Sequence, residues 1–515
     1  MELRSQIGDL LAVENHSAQP EAVLDDEMVS VSAATQRVAF AYERFRNTLE
    51  PDEEDILRRR SIFRILQRRL QEDDRPAEVT AVQLLQELIR GHYISPVPRS
   101  FAEALAQRVT RARLVVSGVR PELARWFMNL VAVAIDRDIF PRHQEEALVQ
   151  LMYHDTWART EWIDNLVAPK DRPIQLYIGC HRALFEADDY EVALHYFTRH
   201  YSNWSAAEFT EADARKIQAD LPNFYRNMQR SLQHPSRERI VRLLRPVAVP
   251  YRVARDVLSE QASFADGDEL AGATRAAVEK RTQNVRRRMS RRAWNSILFL
   301  FFTKTILAGI IEVPYELLVF SEIHIPALIV NIFFHPLLLF VAATTARVPG
   351  SRNADMIVDQ VKVIMTGEGE LPTVVMRRLR QYGAATWAFF ALIYAVLFLF
   401  LFWGVFGVLG LLEFSIVAMF MFLMFLGLVT FLAARIRRGA VDIRVVERQE
   451  GAFSGLISFL ALPIIEFGRY LALQVSKINV PLILMDRVLE APFKIFIDVL
   501  EEWFGFIRDR REEIV

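Results

Sequence analysis

The chain has 515 residues, 52% of them hydrophobic and 24% charged, with a formal net charge of -1. This near-neutral balance also holds within residues 1–293, which excludes a bulk nucleic-acid binder, since such proteins are strongly basic. The single cysteine, Cys180, excludes an intramolecular disulfide and a cysteine zinc cluster, and fits a reducing compartment.

Residues 1–30 read as a polar, acidic lead-in. They contain no apolar core of signal-peptide length, so export of the next domain by a cleavable signal is not expected. Residues 31–262 read as a cytoplasmic all-helical domain. Apolar residues recur at three and four, as in Ile62, Ile65, Leu66 and Leu70, then Val82, Leu85, Leu88 and Ile89. Turn signals interrupt them at SPVP (95–98), Gly118, APKDRP (168–173), LPN (221–223) and HPS (234–236). No strand and no internal repeat is expected.

The segment 42–70 is dense in charge. Glu53, Glu54 and Asp55 precede Arg58, Arg59 and Arg60, a spacing that suits pairing within one helix. It reads as a solvated helix face, or more sharply as a docking surface for a partner. The pattern Tyr42, Glu43, Arg46, Asn47, then Glu53, Glu54, Leu57, Arg58, Arg59, Ile62, Ile65, Leu66, Arg68 and Arg69 resembles an uncharacterised family of bacterial multi-pass membrane proteins. EAPFK (490–494) and EEW (501–503) add to the resemblance, which implies a bacterial origin and no mechanism.

Residues 263–293 begin small and polar, as a hinge would, and end in the polybasic run Arg286, Arg287, Arg288, Arg291 and Arg292. A spanning helix needs about 20 apolar residues. Four stretches within 294–434 qualify, near 294–320, 325–345, 386–411 and 414–434, with a loop at 346–385. Basic residues flank the first span's start, the second's end (Arg347, Arg352, Lys362) and the fourth's end (Arg435, Arg437, Arg438). The connections at Glu322 and Glu413 carry no Lys or Arg. Positive charge marks the cytoplasmic side, so both ends are expected there. Trp294, Trp387 and Trp403 fall near span ends, where amphipathic rings favour the headgroup layer. Gly404, Gly407 and Gly410 either permit a close helix approach or are simply tolerated.

Residues 435–515 read as a cytoplasmic helical tail. AFSGLISFLALPIIEFG is broken by Pro463 and Glu466 and falls short of a span. A last amphipathic helix from Pro492 puts Phe493, Phe496, Leu500, Trp503 and Ile507 on one stripe. Its acidic polar face favours packing on protein over lying on lipid. The expected fold class is therefore all-α: a cytoplasmic multi-helix domain, a four-helix transmembrane region and a cytoplasmic amphipathic tail.

Charges within spans are the first functional candidates. Lys304 and His335 lie about ten residues into the first and second spans, ~15 Å deep. Glu312 and Glu316 come near the first span's outer end, and Pro314 and Pro336 interrupt both helices. Broken helices with ionisable residues at depth recur at ion and substrate sites. The plainer reading has Lys304 snorkelling, His335 bonding backbone freed by Pro336, and the glutamates marking the interface.

Glu191 and His195, four apart, are weak candidates to share a metal ion, and the plainer reading pairs them with each other. Cys180 beside His181 makes no nucleophile and base pair, and GEGELP (367–372) reads as a turn. No catalytic signature and no cofactor is expected. The first functional expectation is a membrane-anchored interaction or assembly platform. The alternatives are a small ion- or proton-coupled transporter or channel using the charged first two spans, and a membrane enzyme. The expected partners are the lipid bilayer, a protein at the cytoplasmic face and further copies of the chain, but no nucleic acid.

Overall fold

The computed structural model describes residues 54–477, apart from 73–75, 164–165, 207, 262, 346–348, 378–382, 439–442 and 446–451, together with residues 4, 7, 28 and 29. These residues are mostly helical and divide into two compact units.

One unit comprises Gly8–His154 and Val167–Val241. Its strands β1 (Met28–Val29) and β2 (Val97–Pro98) pair antiparallel over two residues each. The helices are α1 (Glu54–Glu72), α2 (Ala77–Arg90), α3 (Arg99–Val116), α4 (Pro121–Ile139), most of α5 (His143–Ala158), α6 (Arg172–Phe185), α7 (Asp189–His200) and α8 (Glu211–Leu232). The expected period is realised: Ile62, Ile65 and Leu66 of α1 and Leu84, Leu85 and Leu88 of α2 are buried in one core. Phe127, Phe197 and Trp204 meet at its centre, with ring centroids 5.5 Å apart. Helix starts reflect local chemistry. Asp188 accepts from the Tyr190 and Glu191 backbone and opens α7, while Thr210 and Asp213 cap α8 reciprocally.

Arg58 and Arg59 do not lie on a solvated face; both are buried. Arg58 Nε donates to Asp136 at 2.5 Å, with its guanidinium 4.0 Å from the Phe140 ring. Arg59 pairs with Asp188 at 3.0 Å and Glu191 at 3.1 Å, and Arg142 reaches Glu191 at 3.3 Å and Asp136 at 3.7 Å. Arg58 and Arg59 of α1, with Arg142 just before α5, thus meet Asp136 of α4 and Asp188 and Glu191 at the start of α7, and pairing with carboxylates is what makes burial of these charges tolerable. The break expected at LPN is absent. Pro222 lies inside α8, where Ile217, Leu221 and Met228 continue the buried stripe and outweigh the hydrogen bond that proline removes.

The other unit comprises Met1–Ile7, Asp155–Leu166 and Arg242–Ile478. The strand β3 (Thr160–Trp162) runs parallel to a three-residue strand, Val374–Met376. Helix α9 (Arg237–Glu260) enters this unit, and Tyr251 donates to Asp155 at 2.9 Å. Helix α10 (Gly267–Leu307) is capped by Asp266, which accepts from Asp268 and Glu269. Where small residues suggested a hinge, Leu270, Thr274, Ala277 and Val278 form a buried helical face, and Arg281 is paired with Asp256 of α9. The chain passes through a π turn at Ala308–Glu312 into α11 (Val313–Val319). After it come α12 (Ile325–Thr344), α13 (Ser351–Thr366), β4 (Val374–Met376), α14 (Ala384–Leu411), α15 (Ile416–Arg438) and α16 (Ala452–Lys477).

Among the described residues, four helices are long and apolar enough to cross a membrane: Gly267–Val319, Ile325–Thr344, Ala384–Leu411 and Ile416–Arg437. Large apolar side chains are exposed along them, Trp403 at 74% and Leu399 at 68% among them, a surface that suits lipid better than water. The apolar run beginning at Ala452 is a continuous helix through Pro463, and it crosses α15 where Gly427 faces Gly468. The amphipathic helix expected from Pro492 lies outside the described residues.

Candidate functional site

Lys304, Glu312, Glu316 and His335 are all buried, at 1%, 0%, 1% and 0% exposure. Lys304 sits one turn before the end of α10, Glu312 closes the π turn and Glu316 lies in α11. A π turn inserts a residue into the helix, and such bulges concentrate at functional sites. His335 lies on α12 beside Pro336.

What joins them is Asn331, itself fully buried and not among the residues singled out by charge. Lys304 Nζ donates to the Asn331 backbone oxygen at 2.9 Å and also to its side-chain oxygen. The Asn331 amide nitrogen donates to Glu312 Oε2 at 2.8 Å. One amide therefore accepts from the ammonium and donates to the carboxylate, using both ends of its dipole. Its signal was present in the sequence: a lone amide in an apolar span, four residues before His335 and so on the same helix face.

His335 is held between two carbonyl oxygens, with Nε2 3.0 Å from Phe422 O and Nδ1 3.3 Å from Asn331 O. A neutral ring can donate to one of these, a protonated ring to both. The Lys304 ammonium lies 4.9 Å from the Phe425 ring centroid and 5.7 Å from that of Phe422, so α15 closes the site with aromatic faces. Glu316 Oε2 accepts from the His324 backbone nitrogen at 3.0 Å.

Glu312 is thus linked to Lys304 through Asn331, while Glu316, one turn on, has the His324 ring nitrogen Nδ1 at 3.9 Å. Glu312 Oε1 and Glu316 Oε1 are buried and have no hydrogen-bond partner among the described residues. Buried carboxylate oxygens without donors carry a desolvation cost that a proton or a bound cation removes. The arrangement is chemically equipped to exchange one positive charge, through Glu312, Glu316 or the His335 ring.

The second candidate pair does not act as a pair. Glu191 is committed to Arg59 and Arg142, whereas His195 Nδ1 lies 3.1 Å from Glu146 Oε2. Glu146, 49 residues upstream of His195, carried no local signal that could have identified it. Tyr177 donates to it at 2.7 Å and Gln150 at 2.9 Å, and His195 stacks on Tyr177 with centroids 4.7 Å apart. Burial alone would push the Glu146 carboxyl up, but the bond and charge of His195, with Tyr177 and Gln150, hold it at about 2. Burial and Arg137 lower His181, 2% exposed, to about 4. No group of three or more metal-ligating side chains occurs among the described residues.

No family model, curated protein or solved structure matches the chain, so its function is read from this geometry alone.

Proposed function

We propose that the chain is a multi-pass protein of the bacterial cytoplasmic membrane that moves protons or small cations through the Lys304–Asn331–Glu312 site. Glu316 and His335 complete the site, and the N-terminal helical domain and C-terminal tail lie on the cytoplasmic side. The observation that carries this reading is the pair of buried carboxylate oxygens, Glu312 Oε1 and Glu316 Oε1, that have no hydrogen-bond partner among the described residues, with Lys304 tied to Glu312 through Asn331. Ionisable groups in apolar helices are costly, and they recur on ion and proton paths. Four helices enclose little volume, so the working form is a homo-oligomer.

Reconstitution of the full chain in proteoliposomes with an internal pH dye tests it. An imposed gradient should collapse through the native chain and persist with Glu312→Gln, which keeps the shape of the side chain but not its charge. No flux from folded native chain overturns the reading.

The platform reading rests on a different observation, a helical unit with its own core and a buried charge network outside the candidate spans. Affinity purification of the full chain against a version lacking residues 1–285 addresses it. A stoichiometric protein lost with those residues supports a platform; recovery of the same homo-oligomer from both removes that support.

A further inference from the structure

At the basic end of the candidate spans, α10, α12 and α15 line a half-open cavity of about 400 Å³. Its lining is graded. Arg286 and Ser290 stand where the polybasic run meets the apolar stretch, while Trp294, Ile297, Phe340 and Ile436 line the part that runs between the helices. Arg286, Ser290, Ala293, Trp294 and Ile297 are spaced by four, three, one and three residues, which puts them on one stripe of α10. Of the arginines in the run, Arg286 is the one on the cavity wall. The opposite wall is fixed by Arg437 of α15, which donates to Thr345 Oγ1 at 2.8 Å and to Ala342 O at 3.3 Å, tying the two helix ends together.

Charge identifies the occupant. Just before this run, Arg281 and Lys280 are both paired, with Asp256 and Glu260. Arg286, Arg287, Arg288, Arg291 and Arg292 have no carboxylate partner among the described residues. Five guanidinium groups without carboxylate partners within seven residues of α10 set up a strong positive field, and Arg286 brings it to the mouth of an apolar slot. A free phosphate would use the charge and leave the slot empty. A neutral lipid would fill the slot and leave the charge unmet.

We propose that this cavity binds one anionic phospholipid, with its phosphate on Arg286 and Ser290 and an acyl chain along Trp294, Ile297 and Phe340. Basic pockets between membrane helices are suited to such headgroups. The inference rests on the cytoplasmic placement of this edge under the proposed function, because the anionic leaflet faces that side.

The test uses the full chain in neutral detergent, with thermal unfolding measured as phosphatidylglycerol, phosphatidylcholine or inorganic phosphate is added. Phosphatidylglycerol should stabilise the native chain saturably, while the other two should not. Arg286→Ala should raise the half-saturating phosphatidylglycerol concentration about fivefold, in line with one basic residue near an anionic surface. Ala293→Leu, which fills the slot without touching the charge, should weaken it as well. Equal stabilisation by phosphatidylcholine, stabilisation by phosphate alone, or unchanged saturation in Arg286→Ala overturns the proposal. Recovery of the chain in the soluble fraction without detergent would instead overturn the membrane reading beneath it.

Discussion

Lys304 and Asn331 meet across two candidate spans, with the ammonium donating to both the backbone and the side-chain oxygen of the one residue. Because Asn331 also donates to Glu312, lysine and carboxylate are coupled through an amide. Removing either group takes away the charge that the amide couples to the other. Lys304→Met and Glu312→Gln should each cost about 3–5 kcal/mol of stability. The double variant should cost clearly less than their sum, since both charges leave together. Thermal unfolding of the four proteins in detergent measures this cycle. Strict additivity would mean that the two groups do not interact.

The helical class, the four apolar helices and the four charged candidates were all legible in the sequence, because periodicity and uninterrupted hydrophobicity are local properties. Partners across the fold were not. Arg58 and Arg59 read as solvent-facing because acidic neighbours stood nearby in sequence, yet their carboxylates come from Asp136, Asp188 and Glu191. His195 likewise takes Glu146 instead of Glu191. The same limit hid Asn331, whose role exists only once Lys304 and Glu312 are brought to it.

The charge network of α1, α4 and α7 gives a prediction for the N-terminal unit. Asp136 serves Arg58 and faces Arg142, and it is 1% exposed. Asp136→Asn leaves two guanidinium groups short of one negative charge. It should destabilise that unit by about 3–5 kcal/mol. Hydrogen exchange of the full chain reads the loss locally: amides of α4 should exchange faster while those of α14 keep their rate. Unchanged protection in α4 would show that Arg58 and Arg142 are satisfied without Asp136.

Of the two readings of Gly404, Gly407 and Gly410, the structure favours simple tolerance over close approach. A Cβ on Gly404 or Gly407 would meet nothing within 4 Å, and one on Gly410 would only graze Met419 at 3.8 Å. At Gly468 an added Cβ would overlap the Gly427 carbonyl oxygen, and at Gly427 it would fall 2.7 Å from the Phe467 ring. Gly468→Ala should therefore separate α15 from α16 and lower the melting temperature of the full chain by several degrees. Gly407→Ala should be neutral or slightly stabilising, as alanine is the better helix former. Equal effects at the two sites would argue against the close crossing.

The buried imidazole of His181 makes the N-terminal unit acid-sensitive in a defined window. Burial and Arg137 hold its folded value at about 4, against an ordinary 6.5. Below pH 6.5 the unfolded chain takes up a proton that the folded chain refuses, so stability falls until about pH 4, by about 3 kcal/mol in all. Glu146 acts lower down: its contribution is complete above pH 4.5 and disappears as pH falls toward 2. His181→Leu should flatten unfolding stability between pH 6.5 and 4 and leave the steeper loss below 4.5 in place. A native chain equally stable at pH 6.5 and 4.5 would contradict the buried neutral ring.

The proposed topology makes the last prediction. Reporters inserted after Ser290, in the loop before Gly383 and after Arg444 should all read as cytoplasmic. Reporters at Glu322 and Glu413 should read as external. The alternation comes from arginine placement, since each of the first three sites adjoins basic residues and the last two connections carry none. A reporter at Val515 tests α16. This helix carries Glu466 and Arg469, exposed and 3.6 Å apart, and such a pair is costly on a lipid-facing surface. A helix bearing it is expected to return to the side it left, so Val515 should report with Arg444. Opposite signals from those two positions would mean that α16 crosses completely, its charged pair then facing a second copy of the chain or a polar lining.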